Sequence, residues 1–392
     1  MSIRIVLYSH DSAGLGHIRR NLALAGALTA GVGGEPATGL LVAGRPEATR
    51  FPLPDGWDWL VLPGVRHAPE GYASRALDVD IETAAALRGS VFRAAVRAFR
   101  PDLLVIDRHP LGVARELEPA LRMLRTEQPD CRIVLGLREV LDSPAAAAAE
   151  WSALGGSAAL RPLLDAVWVY GDPRIHDLTA NGELPAGLRD LVTHTGYLAT
   201  GRVAGHLHRI DEPFVLTTVG GGSDGLELAL AAAAAPVPAG HRHLVVTGPQ
   251  MSTADRSRVA AAARPEASVV RRVPDALPLM RSASAVICMG GYNTICEVMS
   301  TSTPALVAPR TRRRAEQRIR AAALAAAGAI QTIDASRIDP GSIGDWLAAN
   351  VGRSATRENI ALDGLSRIPH LATALLEGSR ERVRRGGERV AV

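Results

Sequence analysis

Twice along this chain a short β-branched run empties into a glycine loop that opens a helical stretch. Ile3–Ser9 runs into Gly14-Leu15-Gly16, and Phe214–Val219 runs into Gly220-Gly221-Gly222. After each start, short apolar runs alternate with longer Ala/Leu/Arg stretches of helical period, the pattern of an α/β fold built on parallel sheets. Most of the runs end in polar or glycine residues, as at Leu103–Asp107, Ala166–Tyr170 and Thr193–Gly196, the signature of a ligand-facing sheet edge. Two such starts in 392 residues, more than one core usually fills, predict two Rossmann-like domains facing each other across a cleft. The expected division is residues 1–198, a polar linker 199–212, a second domain 213–365, and a C-terminal helix with an Arg-rich tail, 366–392.

Composition narrows the chemistry. All 44 basic residues are arginine, so lysine Schiff bases, a lysine general base and a P-loop lysine are excluded. Cys131, Cys288 and Cys296 stand far apart, in no spacing that suits a disulfide framework or a cysteine zinc site. His241 and His243 lack companion carboxylates, and no metal site is expected. The net charge of +4 is spread among 40 carboxylates rather than gathered in a stripe, so no nucleic-acid partner is expected. Only Arg312–Arg314 and the tail around Arg380–Arg389 approach such a stripe; the tail, which also holds Glu381 and Glu388, reads as a solvated end, and Arg310 to Arg314 either neutralise a diphosphate or form a solvated loop. No apolar run reaches the ~18 residues of a membrane helix, and the chain opens directly on a strand-like segment, so a cytoplasmic location is expected. Trp57, Trp59 and Leu60 beside Arg50 and Arg66 offer a peripheral membrane contact, though core packing accounts for them better.

Three loops carry candidate chemistry. In the first, Gly14 and Gly16 let the backbone turn sharply, and His17 falls at the positive end of a helix, where the imidazolium is disfavoured. A neutral imidazole facing a cleft suits a general base, with Asp11 as the alternative; helix capping or packing would also explain His17. In the second, Gly221, Gly222 and Ser223 leave a strand and enter a helix, a turn able to cradle phosphate without a lysine. The third and most specific runs from Val286 to Glu297. A strand meets Gly290-Gly291, then a helix start carries Asn293 and Thr294, whose N–H groups and hydroxyl suit a phosphate. Glu297, one turn on, can accept two vicinal ribose hydroxyls, although Thr294-x-x-Glu297 also fits a capping box. Downstream, Arg310 can neutralise a diphosphate, and Glu316-Gln317 opens a helix. Asp78-Val79-Asp80 has the form of a metal-binding Asp-x-Asp but precedes a long helix and reads as an N-cap.

Together these loops resemble the GT-B glycosyltransferases, specifically the family 28 group that includes the lipid II-forming N-acetylglucosaminyltransferase. The likeness lies in Gly14-x-Gly16-His17, in Gly221-Gly222-Ser223-Asp224-Gly225, in Gly290 to Glu297, and in Glu316-Gln317. Two positions depart from the family: Glu316 stands where it has His, and Asp224 where it has Gln, both near the expected sugar. A closer likeness is to a group of bacterial predicted glycosyltransferases sharing Ser9-His10-Asp11-x-x-Gly14-Leu15-Gly16-His17-x-Arg19-Arg20 and Glu316-Gln317-x-x-Arg320-Ala321. The resemblance implies metal-independent, inverting transfer from a UDP- or dTDP-sugar, a co-substrate rather than a resident cofactor, to a hydroxyl or amine of a small-molecule or lipid-linked acceptor. It implies that His17 or Asp11 takes the acceptor proton and that Ser223, Gly290, Gly291, Asn293 and Thr294, with Arg202 or Arg310, hold the leaving diphosphate. Backbone at Arg272 and Val273 would meet the base, Glu297 the ribose, and Glu316 and Gln317 the sugar. The Gly14-x-Gly16-His17-x-x-Arg20 string is also similar to the nucleotide-sugar hydrolase of pseudaminic acid synthesis, which leaves water as an alternative acceptor. A non-catalytic sugar-nucleotide-binding protein of the same fold is the third reading.

Overall fold

A computed structural model describes residues 2–10, 14–68, 71–202, 210–310 and 314–388, with the backbone alone for 379–388. The chain forms two parallel sheets. The first comprises β1 (Ile3–Tyr8), β2 (Ala37–Ala43), β3 (Trp57–Val61), β6 (Leu103–Asp107), β7 (Arg132–Arg138), β8 (Ala166–Tyr170) and β9 (Val192–His194), in the order β3-β2-β1-β6-β7-β8-β9. An antiparallel hairpin, β4 (Val65–Ala68) and β5 (Gly71–Ser74), stands beside it. The second sheet comprises β10 (Phe214–Thr218), β11 (Arg242–Val246), β12 (Ala267–Val270), β13 (Ala285–Cys288), β14 (Ala305–Val307) and β15 (Gln331–Thr332), in the order β12-β11-β10-β13-β14-β15. In both, the strand that follows the domain's start lies in the interior of the sheet. That position sends its glycine loop to the carboxyl edge where the strand order reverses, the usual ligand crevice of such sheets.

The helices of the first half are α1 (Gly16–Leu28), α2 (Ile81–Phe99), α3 (Glu118–Glu127), α4 (Pro144–Ala153) and α5 (Gly156–Leu160). Those of the second are α6 (Leu226–Ala234), α7 (Thr253–Ala262), α8 (Leu277–Ser282), α9 (Tyr292–Met299), α10 (Glu316–Ala326), α11 (Pro340–Asn350) and α12 (Gly364–Glu388). Period-2 alternation sorts the first sheet's faces. Ile3, Ile5, Leu7, Leu103, Val105 and Val134 pack with α1 and α12, whereas Val6, Tyr8, Leu104, Ile106, Ile133 and Leu135 pack with α2 and α3. Helix α12 therefore returns to the first lobe, buries Leu365, Ile368 and Ala372 there, and is led in by Tyr197 N donating to Ala361 O at 2.8 Å.

Local chemistry explains the element ends. Asp80 accepts from Thr83 N at 2.7 Å and caps α2, so Asp78-Val79-Asp80 serves the helix. Trp57 turns inward, its ring lying over Gly39 and its Nε1 donating to Thr29 Oγ1 at 3.0 Å, while Trp59 is half-buried at the sheet edge. Packing thus accounts for the tryptophans. The β4–β5 hairpin was not anticipated, because its four-residue strands carry His, Tyr and Arg rather than an apolar run. Among the described residues no helix is long and apolar enough to cross a membrane.

Candidate active site

The carboxyl edges of the two sheets face each other. On the first, α1 begins just after the β1 loop, whose Asp11 lies outside the described residues. Gly16 is exposed at the first helical position and His17 is the next residue. Alternation along β6 puts Asp107, its last residue, on the α1 side. There its carboxylate meets His17 Nδ1 at 3.0 Å and Arg20 Nη2 at 2.6 Å. Arg20 Nε adds a contact of 3.1 Å. Burial would raise the Asp107 carboxyl, but Arg20 and His17 reverse that and hold it at about 2. An ionised Asp107 can only accept, so Nδ1 carries the proton and Nε2 keeps its lone pair. The 3.1 Å approach of Arg20 Nη2 to Nδ1 is then a packing contact. Burial lowers the His17 pKa despite Asp107, keeping the ring neutral near pH 7.

More imidazoles surround this pair. His10 is buried, its Nε2 lies 2.8 Å from Tyr72 Oη, and its ring centroid is 3.7 Å from that of His109. His67 stacks on Tyr72 at 4.9 Å. Burial pushes both His10 and His109 well below the usual imidazole range, so this wall is aromatic and uncharged.

The second domain contributes its glycine turns. Gly220 and Gly222 have φ of +63° and +91°, and a Cβ on Gly222 would fall 2.2 Å from Thr247 O. Gly221 is exposed, packing near Gln250, and Ser223 is exposed with its hydroxyl donating to Asp224 at 3.1 Å. Gly290 has φ of +83°, and Gly291 is the N-cap of α9 with no capping side chain. Thr294 therefore sits inside the first turn, its hydroxyl unengaged among the described residues, and the capping box is not formed. Asn293 donates to Gly16 O at 2.8 Å and accepts from Arg202 at 3.2 Å. Glu297 is 2% exposed and accepts from Arg19 Nη2 at 2.5 Å, with Arg202 3.8 Å away. Thus α9 brings Gly291, Asn293, Thr294 and Glu297 together and sets them against the first turn of α1.

Arg310 is already matched: it donates to Asp224 at 3.2 Å and to Glu316 at 2.5 Å, and its backbone N donates to Gln317 at 3.3 Å. Arg272 is exposed and joins no other site residue by a hydrogen bond or ion pair, while Val273 lines a small apolar cavity with Ile210, Pro274 and Leu279. Arg312 and Arg313 lie outside the described residues. The strongest contacts across the cleft involve residues that composition did not single out. Arg320 donates to Glu139 at 2.6 and 3.0 Å with both side chains fully buried. Glu150 accepts from Arg108 at 2.5 Å and from Arg314 at 2.6 Å. Asp107 was also missed, although a carboxylate closing an otherwise apolar strand beside β1 was the available signal.

A model of the glycosyltransferase family 28 C-terminal domain matches residues 216–358, which is most of the second domain. The chain is similar over 98% of its length, and 98% of the other, to the glycosyltransferase of kitacinnamycin, at 17% identity and TM-score 0.59. VinC, solved in complex with dTDP, is similar at 16% identity and TM-score 0.59 over 99% of this chain and 100% of its own. MurG of Acinetobacter baumannii is similar at 15% identity and TM-score 0.53, with 95% of each chain covered. A search of curated proteins by sequence finds no match. Two parallel sheets with facing carboxyl edges are the GT-B fold, which this chain shares with those solved glycosyltransferases. Within that fold, the match to its second domain relates this chain to family 28.

Proposed function

We propose that the protein transfers a sugar from a nucleoside diphosphate sugar, UDP- or dTDP-linked, to a hydroxyl or amine of a small-molecule or lipid-linked acceptor in the cytoplasm. The observation that carries this reading is the His17–Asp107 pair, 3.0 Å apart on the wall that faces the glycine turns of the second domain. Neutral His17, with its Nδ1–H held by Asp107, takes the acceptor proton on Nε2 as the acceptor oxygen bonds to the anomeric carbon. The bond from that carbon to the diphosphate oxygen breaks on the opposite face, and its electron pair leaves with the diphosphate. That displacement inverts the anomeric centre. Protonation of Asp107 is not required; it fixes the tautomer and steadies the imidazolium that forms.

The leaving charge would fall against the first turn of α9, whose N–H groups have no intrahelical acceptor and no capping side chain. The Gly290–Gly291 turn and the first turn of α9, with Thr294, take the phosphates, aided by Gly221, Gly222 and Ser223. Donor ribose would bind Glu297 by displacing Arg19, and Glu316 and Gln317 read the sugar from a frame set by Arg310. The dTDP complex of the similar VinC supports a nucleoside diphosphate donor. His17→Ala should lower turnover by about 10²–10⁴-fold, the usual contribution of a general base, while leaving UDP or dTDP affinity by calorimetry within about twofold. Turnover equal to the parent's would remove His17 from the chemistry.

A further inference from the structure

We propose that Arg138 binds an anionic oxygen group, a carboxylate or phosphate, on the acceptor. This deepens the transferase reading and rests on it. Arg138 ends β7 opposite Tyr170 in the sheet register and, two residues beyond Gly136 and four beyond Val134, points to the α1 side. It thus shares a face with Asp107 and stands within electrostatic reach of His17 and Arg20 on its own wall and of Arg320 and Glu316 on the other.

The neighbouring cations of the cleft are matched. Arg20 has Asp107, Arg320 has Glu139, Arg108 shares Glu150 with Arg314, and Arg310 has Asp224 and Glu316. Arg138 has no hydrogen bond and no ion pair among the described residues, and its Nε is sealed from solvent without a partner. Across from it, Glu316 Oε2 and, beneath, Tyr170 Oη are likewise buried and unpartnered. Burial lowers the guanidinium only to about 9, so it keeps its charge at neutral pH. Arg138 is half-buried, and leaving the sealed part of its guanidinium without an acceptor is destabilising, while a planar fork of N–H donors suits an oxyanion presented edge-on. The donor phosphates have their own cradle on the second domain. A group held at Arg138 lies instead beside His17, where the acceptor must sit to lose its proton.

The test uses the full chain saturated with UDP, and follows its thermal midpoint against inorganic phosphate and, separately, acetate at constant ionic strength. Stabilisation of the parent is expected, with the half-saturating concentration rising about ten- to hundredfold in Arg138→Gln as a charge-assisted hydrogen bond is lost. A response to phosphate alone assigns a phosphorylated acceptor, and one to acetate a carboxylate. UDP affinity should be unchanged in the variant, and its midpoint without added anion should equal or exceed the parent's, since an unmatched charge has been removed. Arg138→Lys should retain part of the anion response. An unresponsive parent, an undiminished response in Arg138→Gln, a tenfold loss of UDP affinity there, or a lowered midpoint would each overturn the assignment. If the parent does not bind UDP, the donor reading fails on its own account; a phosphate response that Arg138→Gln weakens then still supports an anion site at Arg138, and one that it leaves unchanged overturns it.

Discussion

Replacing Asp107 by Asn tests the chemistry and the electrostatics of the site at once. The carboxylate is fully buried and accepts from Arg20 at 2.6 and 2.7 Å while orienting His17 at 3.0 Å. Held at about 2, against about 3.9 in an unfolded chain, it stabilises the fold at pH 7 by about 2.5 kcal/mol. Asn also strands the buried Arg20, so the whole cost should be about 3–5 kcal/mol. For a domain of this size that lowers the midpoint by about 2–4 °C per kcal/mol. Because the folded-state pKa lies below the unfolded one, the stabilisation is complete above the unfolded value and is lost as pH falls through the folded value. Urea unfolding of parent and variant should therefore show a gap that is constant from neutral pH to about 5 and that narrows, with half of the titrating part gone near pH 3. Turnover should fall about 10²–10⁴-fold, because Asn can stabilise the wrong tautomer of His17 and cannot balance its imidazolium. The lowered His17 pKa places the acid limb of kcat/KM in the parent below 6.5, with activity lost as pH drops through it. A variant with parental turnover, or a stability gap that widens on acidification, would refute this account.

Two further perturbations read the closure of the cleft. Arg19→Ala removes the partly exposed cation that occupies Glu297, and UDP or dTDP should bind about two- to fivefold tighter by calorimetry, the equivalent of a modest ion pair; weaker binding would mean that Arg19 touches the nucleotide instead. Glu139→Gln strands Arg320 between the domains, which should cost about 3–5 kcal/mol in thermal or urea unfolding and enlarge the radius of gyration measured by X-ray scattering.

Much of the architecture is legible in the sequence because parallel strands buried on both faces are short continuous apolar runs. Leu103–Asp107 and Ala166–Tyr170 are bounded as expected, and β1, β10 and β13 end one residue early, where the chain turns toward its glycine loop. Both glycine turns were readable because a positive φ at Gly222 or Gly290 leaves few alternatives to glycine. What stayed hidden depends on partners far apart in sequence. No local pattern says that Asp107 lies against a helix that began ninety residues earlier, that Glu297 meets Arg19, or that Arg310 is shared by Asp224 and Glu316. A motif names residues that can bind an anion; it does not say which are already bound to one another.

That distinction bears on how this chain uses arginine. Without lysine, each buried cation is a guanidinium, whose planar fork pairs with a carboxylate in two places at once. Such pairs hold fixed geometry across the cleft, as at Arg320–Glu139, and they also compete with ligands for the same carboxylates, as at Arg19–Glu297. A donor that engages Glu297 must therefore break one contact between the domains while leaving the deeper ones intact. Exchange at the rim against permanence in the core is a workable division, because the rim pair is partly hydrated and weak whereas the core pair is strongly destabilising to separate. Arg138 fits neither group: it bridges no domains, holds no carboxylate, and gains a partner only when the cleft is filled.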